Sequence, residues 1–387
     1  MKKIFKIVLS YLLITFNTFV FAIENKDADI LKIGALLPLT GELKNVGEDM
    51  LYAINLALHD IDNSKIKIYP KDSGTSKEQI IRSCEEFLEE GVKVIIGPVD
   101  SKFFKELNNF QDLIFISLSN MSSRNKGNII TMGINLESQL LAIKKFIEKE
   151  KKKKTVILYP KNEYAKYVEK NIKVINFTNT RLFSYSKDPK VLTKQIEKLT
   201  NYKQRKINLE SRIKKLEGSE DPKDLRELNR LKQKYTLGKV NFDSVVIIDF
   251  GDGLKSVLTS LAYTDVSEKD ILIITGNQWF DDSIITETSI KNFYFPSINL
   301  KSFEKFNGKF LKIYKYKPNE ITILAYDIVA LIYYIWKKEK NIVSANNFNL
   351  KKDIKGKIGN FKISDNKVIQ KLNIYKLENG KFIKNKI

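Results

Sequence analysis

The sequence predicts an α/β protein with two lobes, each built on a parallel, doubly wound sheet. Residues 31–37 form an apolar run that only Lys32 interrupts, as in a strand that is covered on both faces. Pro38 ends this strand, and from Gly47 apolar residues recur at helical spacing. Strand, loop and helix alternate again several times along the 387 residues, a length that suggests two domains or one divided fold with an insertion.

The loops after three predicted strands are rich in hydroxyl, glycine and acidic residues. Because the carboxyl ends of parallel strands meet at one edge of the sheet, these loops predict a ligand-binding edge. The alternative for each side chain is a local role, in which it caps a turn or a helix; this applies also to Asp72, in the turn after the second strand. The candidate site residues are Thr40, Gly41, Asp100, Ser101, Ser117, Ser119 and Asn120.

The chain has one cysteine and one histidine, which excludes several kinds of site. Cys84 has no partner for an intramolecular disulfide, and its apolar-periodic neighbourhood predicts a buried structural thiol. With His59 as the single histidine, metal clusters built on Cys and His are excluded, and a catalytic triad is improbable. No nucleophile elbow or glycine-rich phosphate loop is present. We therefore expect no catalytic residues, no metal and no cofactor.

Residues 1–22 are predicted to be a signal peptide. Three lysines precede an apolar stretch, and a small-residue pattern ends at Ala22, after which we expect cleavage. The alternative is an uncleaved membrane anchor, but polar residues interrupt an apolar run already near the lower length limit for a spanning helix. Export to the periplasm is the resulting expectation.

The formal net charge of +21 arises from 67 basic and 46 acidic residues. Such an excess can indicate nucleic-acid binding, yet the lysines are spread along helices and tails, as a codon bias would also produce. An exported protein seldom meets nucleic acid, so the sequence predicts no nucleic-acid partner. Attraction to an anionic polymer or membrane surface stays open.

One segment, residues 193–237, departs from the α/β alternation. Apolar residues recur at helical spacing on both sides of a break at Gly218 to Pro222, which predicts a helical hairpin with charged outer faces. The hairpin is either an arm that docks a partner or an insertion that packs only on its own lobe.

Seven motifs, in this order, resemble the type I periplasmic binding protein superfamily, in its leucine-binding-protein-like branch. The resemblance covers nearly all of the chain after the signal peptide. The motifs are IGALLPLTG at 33–41, GEDMLYAINLAL at 47–58, KDSGTS at 71–76, VIIGPVDS at 94–101, IFISLSN at 114–120, LYPKNEYAK at 158–166 and ILAYDIVAL at 323–331.

This resemblance implies two α/β lobes that are joined by crossover strands and close on a small ligand in a hinge cleft. Lobe 1 would comprise residues 23–133 and 278–340, and lobe 2 residues 134–277 and 341–387. The resemblance also implies that Tyr164 is a cleft-facing aromatic residue of lobe 2 and that Trp279 lies where the lobes meet.

A narrower resemblance concerns residues 199–247 and the motif ITGNQWFDD at 274–282. Both are similar to the bacterial penicillin-binding protein activator group, whose members carry this helical insertion in the second lobe. The resemblance implies a non-enzymatic regulator of peptidoglycan synthesis whose partner is a peptidoglycan synthase. The alternative is a solute-binding protein that delivers branched-chain-type amino acids to an ABC permease.

Overall fold

The computed structural model describes residues 30–121, 127–279, 292–378 and 380–385. The predicted signal peptide, residues 1–22, and its cleavage site lie outside these residues. No helix within the described part of the chain combines the length and apolar character needed to span a membrane.

The first sheet has eight strands in the order β11-β12-β13-β5-β4-β3-β1-β2. The strands from β5 to β2 pair in parallel, β13 joins β5 in parallel, and β11, β12 and β13 pair antiparallel. The strands are β1 Leu31–Leu37, β2 Ile66–Asp72, β3 Val94–Ile96, β4 Ile114–Ser117, β5 Ile129–Thr131, β11 Ile354–Gly356, β12 Gly359–Ser364 and β13 Lys367–Lys371.

The second sheet has seven strands in the order β15-β14-β10-β9-β8-β6-β7. Its pairs are parallel from β10 to β7, and antiparallel between β10, β14 and β15. The strands are β6 Thr155–Pro160, β7 Thr180–Tyr185, β8 Ser244–Ile247, β9 Leu272–Thr275, β10 Phe293–Ser297, β14 Asn373–Glu378 and β15 Lys381–Lys384.

Helices flank both sheets, and most of them close the apolar core over the buried strands. Those of lobe 1 are α1 Lys44–Ile61, α2 Lys77–Glu89, α3 Phe104–Leu107, α10 Leu300–Tyr314 and α11 Thr322–Glu339. Those of lobe 2 are α4 Leu136–Lys149, α5 Ala165–Ile175, α6 Pro189–Leu199, α7 Tyr202–Leu216, α8 Pro222–Leu231 and α9 Gly251–Tyr263. The expected architecture of two α/β lobes is confirmed.

Within the described residues, the chain crosses between the lobes three times. It passes from β5 to α4 through residues 132–135, from β10 to α10 through 298–299, and from β13 to β14 at Leu372. The amide of Gln370 donates to the carbonyls of Met132 and Gly133, at 2.9 and 3.1 Å. These bonds hold the first and third crossovers side by side.

Strand pairing corrects two of the expected lobe segments. β10 lies in the second sheet, whereas the expectation places residues 278–340 in lobe 1; among the described residues of that segment, α10 and α11 pack on lobe 1, against α1. β11, β12 and β13 join the first sheet through β5, although residues 341–387 were assigned to lobe 2. Short apolar strands carry no local mark of the sheet they enter, because the choice depends on distant partners.

The helical hairpin is shorter than the predicted segment 193–237. α6 packs into the main core of lobe 2, where Ile196 and Leu199 are buried. α7 and α8 begin after Asn201, which has a left-handed backbone conformation, and they form the hairpin proper. The hairpin has its own small apolar cluster, whose buried members are Leu209, Leu216, Leu228 and Leu231.

A buried arginine fastens the base of this hairpin to lobe 2. The guanidinium of Arg205 donates to the carbonyls of Gly238, Thr264 and Asp265 at 2.9 to 3.2 Å and to the hydroxyl of Thr236 at 2.7 Å. Its side chain is 7% exposed, and its bonds to Thr264 and Thr236 are buried, so these two acceptors depend on it rather than on water.

We expect Arg205→Ala to lower the free energy of local opening of the hairpin by about 2–4 kcal/mol, because it leaves buried acceptors without a donor. Hydrogen exchange of the α7 and α8 amides measures this free energy. The matched control is Arg212→Ala on the same helix, which removes only a surface pair with Glu227. Equal exchange rates in the two variants would contradict the anchoring role of Arg205.

Candidate functional site

The loop after β1 is closed internally by a carboxylate at the end of β2. The hydroxyl of exposed Thr40 donates to Oδ2 of Asp72 at 2.6 Å. Oδ1 of Asp72 accepts the backbone N–H groups of Leu39 and Gly74, both at 2.9 Å, and the Gln79 amide donates to Oδ2 at 3.0 Å. The Thr40 hydroxyl hydrogen is therefore committed to Asp72 and is not directed at a ligand.

These contacts also set the charge state of Asp72. Partial burial alone would raise the pKa of Asp72, but the hydrogen bonds from Thr40, Gly74, Leu39 and Gln79 outweigh it and lower the pKa. Gly41 follows Thr40 with φ of 77°, a left-handed conformation that favours glycine, and it is exposed. Sequence and geometry thus make this turn a rigid, anionic corner of the sheet edge.

Asp100 and Ser101 form the loop after β3. Oδ1 of Asp100 accepts the backbone N–H of Lys102 at 2.9 Å, and Oδ2 lies 3.5 Å from the ammonium of the same residue. Asp100 therefore caps the 3₁₀ turn Ser101–Phe103, in which Ser101 is half-buried. The structure thus records a local capping role for Asp100.

The hydroxyl residues after β4 shape their own loop. Ser117 is fully buried; it donates to the Pro98 carbonyl at 2.8 Å and accepts the N–H of Ser119 at 3.1 Å. Oγ of Ser119 in turn accepts the N–H of Met121 at 3.1 Å. Their side chains link the ends of β3 and β4 and fix the loop that carries Asn120 towards lobe 2.

A tyrosine pair of lobe 2 meets this loop across the cleft. The hydroxyl of Tyr167 donates to the Asn120 carbonyl at 3.4 Å, and the ring centroids of Tyr164 and Tyr167 are 5.2 Å apart. Burial raises the pKa of Tyr164, so its hydroxyl stays neutral. The sequence analysis missed Tyr167, whose spacing of three residues from Tyr164 at the start of α5 places both on one helix face.

Trp279 occupies the loop after β9. It is half-buried against the core, has φ of 46°, and donates its backbone N–H to Oδ1 of Asn277 at 2.9 Å. Asn277 donates its own N–H to Gln139 of α4 at 2.9 Å, which ties this loop to the hinge region of lobe 2. Residues 280–282 of the motif at 274–282 lie outside the described residues.

A second residue that the sequence analysis missed is Asp249, just beyond β8 at the carboxyl edge of the second sheet. Its Oδ2 accepts the Tyr185 hydroxyl at 2.5 Å, and its Oδ1 accepts the Phe250 N–H at 2.9 Å. Burial and the contact with Asp249 raise the pKa of Tyr185. The available signal was an acidic residue directly after an apolar strand.

Asp249 and Tyr185 line a cavity of about 290 Å³ that also contains Lys187 and the N-terminal turn of α9. Carboxylate and cationic groups on one small cavity are the chemistry that an amino-acid zwitterion requires, because the ammonium needs an acceptor and the carboxylate needs donors.

The described residues contain no group of three or more His, Cys, Asp or Glu side chains placed to hold a metal ion. Cys84 is buried, as predicted, and burial raises the pKa of its thiol to about 12. The thiol is a packing group rather than a nucleophile.

We expect Asp72→Asn to lower the free energy of unfolding by about 1–2 kcal/mol near neutral pH, because the amide cannot accept all four hydrogen bonds. The pKa of Asp72 is lowered from 3.8 in the folded chain, so this stabilisation is present above that value and is lost as the pH falls below it. Urea denaturation at neutral pH and at about pH 3 tests this. Asp112→Asn, at an exposed site, is the control; an equal effect of Asp72→Asn at both pH values would contradict the prediction.

Comparison with known proteins agrees with the two-lobed α/β fold. A family model described as periplasmic binding protein matches residues 30–175. No curated protein matches the chain by sequence. Solved structures match over 92% of the chain. The branched-chain amino acid binding protein LivJ from Streptococcus pneumoniae, in complex with isoleucine, is 18% identical, with a TM-score of 0.53 over 100% of its length.

Two further matches are structures of LpoA from Haemophilus influenzae. Its C-domain, described as part of a regulator of PBP1A, is 14% identical, with a TM-score of 0.59 over 100% of the domain and 92% of this chain. Full-length LpoA is 14% identical, with a TM-score of 0.60 over 59% of its length and 92% of this chain. The chain thus has the type I periplasmic binding protein fold, and its resemblance to that superfamily is confirmed.

Proposed function

We propose that this chain is a non-enzymatic periplasmic regulator that contacts a peptidoglycan synthase through the hairpin of α7 and α8. The observation that carries the proposal is the hairpin itself. It has its own apolar cluster and a buried anchor at Arg205, so it is held as a unit on lobe 2. A fixed, protruding helical pair costs little further ordering when it docks.

The surface of the hairpin supports a docking role over simple self-packing. Self-packing explains the buried leucines but leaves Ile207 and Leu225 exposed, at 52% and 44%. Around them, residues 202–235 carry eleven basic and six acidic side chains. Burial of these two side chains by a partner would remove apolar surface from water.

The lobe 1 side of the cleft supports the same proposal. Three of the predicted ligand contacts have partners within lobe 1. Thr40 donates to Asp72, Asp100 caps a 3₁₀ turn, and Ser117 donates to a backbone carbonyl. Side chains used in this way shape the loops rather than bind a solute. A cleft of this kind serves as a scaffold.

The test is direct binding of the purified chain to purified peptidoglycan synthases of the same bacterium. We expect the double variant Ile207→Ser, Leu225→Ser to weaken binding at least about tenfold, because interface anchors contribute roughly 1 kcal/mol or more each. The matched control is Val174→Ser, Val343→Ser, at residues that are 60% and 66% exposed away from the hairpin. Equal affinity of both double variants for a synthase, or no binding by the unaltered chain, would rule the proposal out.

A second candidate function is delivery of amino acids to an ABC permease by lobe closure. The cavity at Asp249, Tyr185 and Lys187 favours it, because its charges complement an amino-acid zwitterion.

For this second candidate we expect a branched-chain amino acid at 100 times its dissociation constant to add about 2.7 kcal/mol of stability. Asp249→Asn should abolish the effect, since it removes the negative charge that pairs with the ammonium, whereas Asp270→Asn at an exposed site of lobe 2 should not. Thermal-shift and calorimetric titrations measure both. Absence of any shift with the unaltered chain would exclude amino-acid delivery.

A further inference from the structure

A cavity of about 830 Å³ lies between α11, the segment 349–353 and β11, on lobe 1. None of its lining residues belongs to the cleft or to the hairpin. Its volume falls within the range of pockets that hold small ligands. The walls are mainly apolar, and the side chains that make them are Ala330, Leu331, Tyr334, Leu350, Ile354 and Phe361.

The local structure explains why this apolar wall is open. α11 is apolar on nearly all sides and is buried along most of its length, yet Ala330 and Tyr334 are exposed and line the cavity. Among the described residues, β11 is the edge strand of the first sheet, and no further described strand covers this side. An apolar surface therefore remains accessible beside the sheet edge.

Asp327 of α11 also lines the cavity, and it is already satisfied. Its carboxylate is 3% exposed and accepts the backbone N–H groups of Lys357 and Ile358, each at 2.9 Å. Both oxygens thus hold the turn between β11 and β12. A negative group brought next to this buried carboxylate would be repelled, so the interior suits an uncharged part of a ligand.

The rim has the opposite charge. Four exposed lysines line it, and only one acidic residue, Asp353, accompanies them there. Asp353 is paired with Lys371, and Lys338 is paired with Glu339. The structure records no ion pair for the other three, within the residues that it describes; these are Lys351, Lys352 and Lys355.

We propose that this cavity binds a single-chain anionic amphiphile. The alkyl chain lies against the apolar wall, and a carboxylate or phosphate head group lies on Lys351, Lys352 and Lys355. An acidic peptide added to β11 fits less well, because the strand has only three residues and offers few backbone hydrogen bonds. An apolar interior with a cationic rim complements a ligand that has one long alkyl chain and one anionic head group.

The first experiment is displacement of a fluorescent fatty acid from the purified chain, with all amphiphiles below their micellar concentration. Laurate and dodecyl phosphate should each displace the probe at one site per chain; their relative affinities distinguish a fatty acid from a phosphorylated lipid. Decanoate should bind about 15-fold more weakly than laurate, at about 0.8 kcal/mol for each of two buried CH₂ groups. Dodecyltrimethylammonium should bind at least about tenfold more weakly than laurate, because the lysines repel it.

Two variants locate the site. Ala330→Trp fills the cavity from an exposed helix position and should abolish displacement, and the triple variant Lys351→Glu, Lys352→Glu, Lys355→Glu should weaken laurate binding at least about tenfold. The first tests the apolar wall and the second the rim, so a folding defect in either leaves the other informative.

The control for net charge is the triple change to Glu at exposed lysines of α10, which should leave laurate binding unaltered. These are Lys301, Lys305 and Lys312. The proposal is overturned if laurate fails to bind, if Ala330→Trp binds it normally, or if both triple variants lose affinity equally. It is also overturned if a soluble acidic peptide without apolar residues displaces the probe as well as laurate does, because charge alone would then account for binding.

Discussion

Two buried amides, Gln370 and Asn135, join the first crossover to β13, the strand that precedes the third crossover. Gln370 donates to the carbonyls of Met132 and Gly133, and Asn135 donates to the Val368 carbonyl. These bonds place β13 beside β5 and thereby complete the first sheet with strands from the end of the chain. The carbonyls of Met132, Gly133 and Val368 thus find donors within the protein. The position of each loop at the cleft depends on this arrangement, because the loops extend from strands that the crossovers hold in register.

The hairpin of α7 and α8 is stabilised in a different way from the crossovers. Its four buried leucines form a cluster separate from the main core, so the hairpin is stabilised locally, and Arg205 and the Tyr202–Tyr263 ring contact join it to lobe 2. A guanidinium with several donors suits this role, because one side chain can satisfy several carbonyl groups at once. The hairpin therefore adds a surface to lobe 2 beyond the core that covers the sheet.

The cleft and the cavity on lobe 1 differ in which of their polar groups are bonded within the protein. At the cleft, the side chains of Thr40, Ser117 and Asp249 each bond a neighbouring group of their own lobe, and Asp249 also lines a cavity with Lys187. On lobe 1, Asp327 is satisfied by backbone donors while Lys355 and its neighbours line the rim. The proposed hairpin contact and the proposed amphiphile site use separate surfaces, so occupancy of one leaves the other exposed.

The sequence by itself determined the α/β class, the strand, loop and helix order, the buried thiol and the presence of a helical insertion. Each depends on periodicity or residue type within one short window, which is set by local chemistry. Tertiary structure alone decided that β10 joins the second sheet, that Asp72 accepts a hydrogen bond from the Thr40 hydroxyl, and that Tyr167 donates one to the Asn120 carbonyl. Tertiary structure likewise placed α6 in the core and Asp249 at a cavity. These features depend on pairing between distant segments, and the same local pattern is compatible with several partners until the chain packs.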